Sequence, residues 1–281
     1  MNDTTKRRME RPTERPTQRR TALVTGASAG IGLALAEVFA REGWDLVLSA
    51  RRADRLHAAA TDLAHRFGCQ VHVVVADLAD PSTPARIVDE VTRAGIRVDA
   101  LVNNAGYGLP GLFADTTWKD QADFLQVMVT AVAELTHRFL PGMIERRYGR
   151  IINVASLAGL VPGSAGHTLY GASKALLITF SESLALEGLP HNVHVTALCP
   201  GFTYSEFHDV NGTRPLVSRL PRFMFMDAET VARQGYGAVM KGQSVYVNGP
   251  VNRAIAQLVR YLPQWLIRGA LRRVARNYRK V

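Results

Sequence analysis

Short apolar runs alternate along the chain with longer segments whose apolar residues recur at helical spacing. The predicted strands are TALVTG (21–26), DLVLSA (45–50), QVHVVVAD (70–77), DALVNNAG (99–106), GRIINVAS (149–156), NVHVTALCPG (192–201) and SVYVNG (244–249). The predicted helices lie between them, at 31–43, 53–68, 83–94, 119–146, 169–187 and 227–240. Runs of Val, Ile and Leu without polar alternation are typical of strands buried on both faces of a parallel sheet. The pattern therefore predicts one α/β domain over 21–250, a Rossmann-type doubly wound parallel sheet of about seven strands flanked by helices.

Two basic segments flank this domain. Residues 1–20 carry seven Lys or Arg and three Asp or Glu, and they contain almost no apolar residues, which predicts a disordered N-terminal tail. Residues 251–281 carry eight basic residues and no acid, with apolar residues at helix-like intervals on either side of Pro263. Such a basic amphipathic extension is typical of a helix on an anionic membrane surface, of a dimer arm, or of a cover over the active site.

The net charge of +10 comes from these two segments. They contribute +4 and +8, which leaves the body at −2 and argues against a nucleic-acid-binding domain. Only two cysteines are present, Cys69 and Cys199, both in apolar surroundings that favour a reduced, cytoplasmic protein. The histidines show no ligand spacing, so we expect no metal. No run of 18 uncharged apolar residues occurs, and the N-terminus has no apolar signal region.

A glycine-rich loop follows the first predicted strand and leads directly into the first helix. Gly26, Gly30 and Gly32 lie in TGASAGIG, with Ser28 and Ile31 between them. Glycines allow a tight turn and a close approach of phosphate to the backbone, and the helix amino end supplies unpaired N–H groups. The loop therefore predicts a nucleotide site.

The end of the second strand indicates which nucleotide binds. An acidic residue usually meets a free ribose 2′-hydroxyl at this position, but here Ala50 is followed by Arg51 and Arg52. A guanidinium offers charge-assisted bonds to a 2′-phosphate, so the pair favours NADP(H), with Arg51 preferred. The alternative is a solvated pair of arginines at a helix start.

A tyrosine and a lysine stand four positions apart in TLYGASKALL. On a predicted helix, Tyr170 and Lys174 share one face. Alone, this spacing is equally typical of an ordinary surface pair.

Taken together and in order, these motifs resemble the classical short-chain dehydrogenases/reductases over about 21–250. The resemblance implies a cofactor site formed by the glycine loop, the arginines and four later segments: Asp77-Leu78, Asn104-Ala105-Gly106 within NNAG, Tyr170 with Lys174, and Pro200-Gly201 with Thr203 and Ser205. It also implies that Ser156, Tyr170 and Lys174 are catalytic. In the family the tyrosine exchanges a proton with the substrate oxygen, the lysine lowers the tyrosine pKa and holds the nicotinamide ribose, and the serine orients the substrate. Family members are commonly homodimers or homotetramers.

Two positions depart from the family pattern. Met128 stands where the family usually has an asparagine that supports a proton-relay water. Either a backbone carbonyl holds that water and activity persists, or the protein is a slow enzyme or an NADP(H)-binding sensor. Ser156 and Tyr170 are fourteen positions apart, one more than usual, and the glycine-rich loop between them can absorb the extra residue. His167 in that loop is either a substrate contact or an exposed histidine.

The segment 202–230 occupies the place of the family's variable substrate lid. Its apolar side chains suit a lipophilic ketone or aldehyde, although they also suit a cover for the core or a subunit interface: Phe202, Phe207, Phe223, Met224, Phe225 and Met226. Arg214, Arg219 and Arg222 leave a thioester or phosphate-bearing substrate open. The sequence thus predicts an NADP(H)-dependent carbonyl reductase, or alcohol dehydrogenase in reverse, in the cytoplasm, with peripheral membrane contact through 251–281 as an alternative.

Overall fold

The computed structural model describes residues 19–163, 166, 168–204 and 221–262. The strands are β1 Thr21–Thr25, β2 Asp45–Ala50, β3 Val71–Val75, β4 Val98–Asn103, β5 Gly149–Val154, β6 Val193–Cys199, β7 Thr203–Tyr204, β8 Met226–Asp227 and β9 Val245–Val247. The α-helices are α1 Gly30–Arg41, α2 Ala53–Phe67, α3 Thr83–Arg93, α4 Trp118–Leu125, α5 Ala131–Glu145, α6 Thr168–Gly188, α7 Ala228–Met240 and α8 Pro250–Tyr261.

Seven strands form one parallel sheet in the order β3-β2-β1-β4-β5-β6-β9. The predicted seven-stranded Rossmann-type fold is confirmed. The strand order reverses beside β1, whose Val24 pairs with Leu48 of β2 on one side and Val102 of β4 on the other. In doubly wound sheets the ligand crevice lies at the carboxyl ends of the strands at this reversal. The two-residue strands β7 and β8 pair separately and were not predicted.

The core lies on both faces of the sheet because the central strands are apolar on both sides. One face packs against α1, α2 and α7, where Phe39 and Leu56 are completely buried. The opposite face packs against α3, α5 and α6, where Ile87 and Leu135 are buried. Burying one such side chain stabilises the fold by about 1.5–3 kcal/mol. These two layers fix the strand ends that carry the candidate site.

The predicted helix 119–146 is divided in the structure. A π-helical turn, Gln126–Thr130, separates α4 from α5. Such turns insert one extra residue into a helix and frequently occur at functional sites. The buried Met128 lies in this turn.

The chain continues past β9 as the helix α8. The remainder of the predicted tail, 263–281, and the predicted disordered segment, apart from Arg19 and Arg20, lie outside the described residues. Among the helices that are described, none is long and apolar enough to cross a membrane.

Candidate active site

The glycine loop between β1 and α1 is shaped for close backbone approach. Gly26 and Gly30 have φ values of +66° and +58°, a region that favours glycine. At Gly32 a Cβ would collide with the Asn104 side-chain amide and the Gly26 carbonyl oxygen. The helix start at Gly30 has Ala29 as its N-cap, and this residue offers no side-chain cap. The backbone of this loop and the first turn of α1 therefore leave room for the predicted phosphate.

Asn104 fastens this loop to the end of β4. Its Nδ2 donates to the Thr25 carbonyl oxygen at 2.9 Å and to that of Gly26 at 3.2 Å. The backbone N–H groups of Asn104 and Ala105 both donate to Thr25 Oγ1, at 3.0 and 3.1 Å. The NNAG motif thus joins the two strands on either side of the crevice.

Arg51 and Arg52 lie on different sides of the second strand's carboxyl end. Arg52 Nη2 donates to Ser28 Oγ of the glycine loop at 3.2 Å. Arg51 Nη1 lies 4.0 Å from Asp77 Oδ2, and its side chain is 64% exposed. The sequence favoured Arg51 of the two, whereas the structure brings Arg52 against the glycine loop and Arg51 against Asp77, in the segment predicted to hold the adenine. Leu78, next to Asp77, is buried.

Ser156, Tyr170 and Lys174 come together at the carboxyl end of β5. Ser156 lies two residues after the end of that strand, and α6 carries Tyr170 in its first turn and Lys174 one turn later. The side chains of Ser156 and Tyr170 are hydrogen-bonded to each other. Lys174 Nζ donates to the Val154 carbonyl oxygen at 2.7 Å and lies 5.7 Å from the centroid of the Tyr170 ring. The spacing of fourteen residues between Ser156 and Tyr170 does not prevent this contact.

Burial is the largest cause of the pKa shifts of Tyr170 and Lys174. It raises the pKa of Tyr170, against a smaller lowering by the Ser156 hydrogen bond. It lowers the pKa of Lys174 to about 8. The spacing of Tyr170 and Lys174 predicted a lowered pKa for Tyr170, but in the structure desolvation of the phenol outweighs the lowering by its hydrogen bond to Ser156. Cys199, completely buried beside Lys174, has its pKa raised to about 12 by burial.

The segment after β6 adjoins the serine loop. The Leu157 N–H donates to the Pro200 carbonyl oxygen at 2.9 Å, and Thr203 Oγ1 donates to the Gly201 carbonyl oxygen at 3.2 Å. Thr203 is buried. Ser205, which was predicted to share this part of the site, lies outside the described residues.

Gly106 and Met128 pack against each other. A Cβ at Gly106 would lie 2.7 Å from Met128 Sδ, so the glycine leaves the space that the thioether fills. Met128 is 1% exposed. The residue at the position of the family asparagine is thus a core side chain that cannot donate a hydrogen bond.

A small cleft with both polar and apolar lining adjoins Tyr170. Its lining comes largely from the loop after β4 and from the start of α6, namely Leu109, Gly111, Leu112, Phe113, Thr116, Gln121, Phe124, Gly166, Thr168 and Leu169. The sequence had assigned the apolar lining to 202–230 and did not identify the loop after β4, since no motif marks it.

Part of the predicted lid is described. Phe225 packs on Tyr204, with ring centroids 4.8 Å apart, and on Phe202 at 5.6 Å. Phe223 is 70% exposed. Phe207, Arg214, Arg219 and the Arg222 side chain, together with His167 of the serine loop, lie outside the described part of the chain. Among the described residues, no group of three or more His, Cys, Asp or Glu could hold a metal ion.

Comparisons with known proteins give the family. Residues 20–214 match the family model described as short chain dehydrogenase. The chain is 32% identical over 237 residues to the 3-oxoacyl-(acyl-carrier-protein) reductase FabG of Aquifex aeolicus, covering 81% of this chain and 95% of the relative. It is 37% identical over 250 residues to nodulation protein G of Rhizobium meliloti, with the same coverage.

Solved structures agree with this assignment. A short-chain dehydrogenase from Sphingobium yanoikuyae in complex with NADPH has a TM-score of 0.76 and 30% identity, covering 87% of this chain and 97% of that chain. A short-chain dehydrogenase from Streptomyces avermitilis has a TM-score of 0.73 and 29% identity, covering 94% and 98%. The chain therefore belongs to the short-chain dehydrogenase/reductase family of oxidoreductases, which act on CH–OH and C=O groups.

Proposed function

We propose that the protein is an NADP(H)-dependent oxidoreductase that reduces a lipophilic ketone or aldehyde to an alcohol, or catalyses the reverse reaction. The observation that carries this proposal is the hydrogen-bonded pair of Ser156 and Tyr170 with the buried Lys174 one helical turn away. When bound, the nicotinamide supplies or accepts the hydride. The protein then has to orient the carbonyl and move one proton.

Tyr170 is the proton donor in the reducing direction. Its raised pKa keeps the phenol protonated at neutral pH, so it can deliver a proton to the carbonyl oxygen as negative charge develops there. Ser156 holds the same oxygen through its hydroxyl group. Lys174, with a pKa of about 8, is mostly protonated at pH 7 and offers a cation to the nicotinamide ribose and to the phenolate left after transfer.

The cofactor preference is supported by the charges around the crevice. The glycine loop packs closely on the NNAG segment, since a side chain at Gly32 would collide with Asn104 and Gly26. The backbone N–H groups at the start of α1 suit a pyrophosphate. Arg51 and Arg52 flank the end of β2, where an acidic residue would repel a 2′-phosphate. The NADPH bound to the related Sphingobium yanoikuyae structure supports the same choice.

The substrate class is supported by the cleft beside Tyr170. Leu109, Leu112, Phe113 and Leu169 contribute apolar side chains to it, beside polar Thr116, Gln121 and Thr168. Apolar walls with a few polar groups suit a lipophilic carbonyl compound. A 3-oxoacyl thioester of the kind named for the Aquifex relative combines an apolar chain with a ketone. We include such thioesters among the candidate substrates because Arg214, Arg219 and Arg222 of the predicted lid could bind a charged group on the substrate.

The test is NADPH oxidation against a panel of medium- and long-chain ketones, aldehydes and 3-oxoacyl thioesters, repeated with Tyr170→Phe. On an active substrate the variant should lose about 10²–10⁴ in rate, the usual contribution of general acid catalysis. Tyr261→Phe, at a tyrosine that is 77% exposed in α8, is the matched control and should keep the wild-type rate. Full activity of Tyr170→Phe would refute the role of the phenol.

A second candidate function is an NADP(H)-binding sensor without turnover. The observation favouring it is Met128, which is buried against Gly106 and cannot support a relay water through its side chain. This function predicts tight NADPH binding, no hydride transfer to any carbonyl in the panel, and binding that Tyr170→Phe leaves unchanged.

We also propose a cytoplasmic homodimer or homotetramer, with membrane contact through the basic C-terminal segment as the competing arrangement. Exposed Arg253 and Arg260 on α8 support the second arrangement. Sedimentation with anionic liposomes, comparing the full chain with a chain ending at residue 262, separates the two. Light scattering measures the molar mass in solution and so gives the oligomeric state.

A further inference from the structure

Buried amides connect the C-terminal helix to the segment after β6. Asn248, at the end of β9, is completely buried, and its Nδ2 donates to Gln234 Oε1 of α7 at 3.0 Å. Its backbone N–H donates to the Cys199 carbonyl oxygen at 3.3 Å. Asn252, in the first turn of α8, is 5% exposed, and its Nδ2 donates to the Asn248 carbonyl oxygen at 2.7 Å.

Asn252 presses directly on Gly201. A Cβ on Gly201 would lie 2.6 Å from Asn252 Cγ and Nδ2, and closer still to Oδ1. Gly201 is not among the glycines with positive φ, so the contact requires a glycine there because of space and not because of backbone conformation. The side chain of an α8 residue therefore limits where the Pro200-Gly201 backbone can lie.

The same amide reaches the start of the lid. Asn252 Nδ2 lies 4.0 Å from Met226 Sδ, and the Met226 N–H donates to the Phe202 carbonyl oxygen at 2.9 Å. Asn252 thus packs on Gly201 directly, and it also contacts Met226, whose backbone N–H holds Phe202.

The burial pattern of α8 is unusual for a helix that only packs against the domain. All twelve residues of α8 are described, and Asn252 is the only one that is buried. Burying a polar amide costs free energy unless its hydrogen bonds are made, so an apolar residue would be the ordinary choice for an anchor. The helix instead buries an amide, at the point of contact with Gly201.

We propose that Asn252 is a positioning residue that fixes the Pro200-Gly201 segment against the nicotinamide half of the cofactor. The proposal rests on the proposed function, which assigns this segment to the cofactor site. It makes the first turn of α8 part of the catalytic domain, although the sequence analysis ended that domain at residue 250.

The contact itself can be tested without cofactor. Gly201→Ala should lower the melting temperature by about 4 °C or more, because the new methyl group overlaps the Asn252 amide. In an Asn252→Ala background the same substitution should cost roughly half as much or less, since the space is then open. An equal cost in both backgrounds would overturn the contact as the reason for the glycine.

The positioning role is tested by calorimetry with two probes, NADP⁺ and 2′-phospho-ADP-ribose, which lacks the nicotinamide. Asn252→Ala should weaken NADP⁺ binding by roughly tenfold and leave 2′-phospho-ADP-ribose unchanged. Arg253→Ala, at the adjacent exposed residue of α8, should change neither. Equal effects of Asn252→Ala on both probes, or on neither, overturn the proposal while the proposed function stands. A wild-type chain that binds neither probe refutes the proposed function, and the positioning role falls with it.

Discussion

Lys174→Met should make the protein inactive and more stable at neutral pH. The side chain is 6% exposed, and its Nζ has a backbone carbonyl oxygen, that of Val154, as its hydrogen-bond acceptor. A buried ammonium without a carboxylate partner is costly because its hydration is lost. Methionine has a similar length and no charge, so it can occupy the same space without that cost.

The magnitude follows from the pKa of Lys174, which burial lowers from 10.5 to about 8. This difference corresponds to about 3 kcal/mol, and the unpaired Val154 carbonyl oxygen in the variant takes back about 1 kcal/mol. The variant should therefore be about 2 kcal/mol more stable at pH 7. The unfolded chain keeps the lysine proton up to pH 10.5, whereas the folded chain releases it near pH 8, so wild-type stability rises with pH between these values. From pH 7 to pH 9 the advantage of the variant should shrink by about 1 kcal/mol.

Urea unfolding of both proteins at pH 7, 8 and 9 measures this difference. The raised pKa values of Tyr170 and Cys199 also affect how stability depends on pH. Both residues are present in both proteins, so these effects largely cancel in the comparison. Lys241→Met makes the same substitution at an exposed lysine and should show neither the gain nor its pH dependence. A Lys174→Met protein that is less stable than wild type at pH 7, or a difference that stays constant from pH 7 to pH 9, would refute the reasoning.

Two further predictions concern the cofactor and the core. Arg51→Asp and Arg52→Asp should each reduce the preference for NADPH over NADH by about ten- to hundredfold, since each removes a charged partner of the 2′-phosphate. Steady-state kinetics with both cofactors measure this preference as a ratio of kcat/KM values. An unchanged ratio in one variant would show that its arginine does not bind the 2′-phosphate. Met128→Ala should lower the free energy of unfolding by about 2–5 kcal/mol because it leaves a cavity beside Gly106. Urea unfolding measures the loss, Leu186→Ala at a 74% exposed position is the control, and a loss below about 1 kcal/mol would contradict the packing.

The parts of the fold that could be read from the sequence are those that depend on local pattern. The buried strands and their helices followed from apolar runs and helical spacing, and the doubly wound parallel sheet followed from general rules of crossover connections. Ser156, Tyr170 and Lys174 were found by their motifs, because the chemistry needs these residue types at strand ends and on one helix face.

Features that depend on contacts between distant segments were not predicted. The π-helical turn at Gln126–Thr130 has no spacing signal in a continuous helical pattern. The raised pKa of Tyr170 depends on how much of the phenol is desolvated, which the motif does not contain. Asn252 looks like an ordinary polar residue in a basic extension, and only its packing on Gly201 distinguishes it.

One face of α6 explains how the two candidate catalytic side chains, Tyr170 and Lys174, are held in place. Tyr170, Lys174, Leu177 and Ser181 recur every three or four residues, so they share the face turned toward β5. Asn153 Nδ2 donates to Ser181 Oγ at 2.9 Å, and Ser181 Oγ donates to the Leu177 carbonyl oxygen at 2.6 Å. Because Lys174 is also bonded to the end of β5, the helix is fixed to that strand at two levels. A shift of the helix along the strand would break both bonds. These bonds therefore keep α6 in the position that places the Tyr170 phenol opposite Ser156.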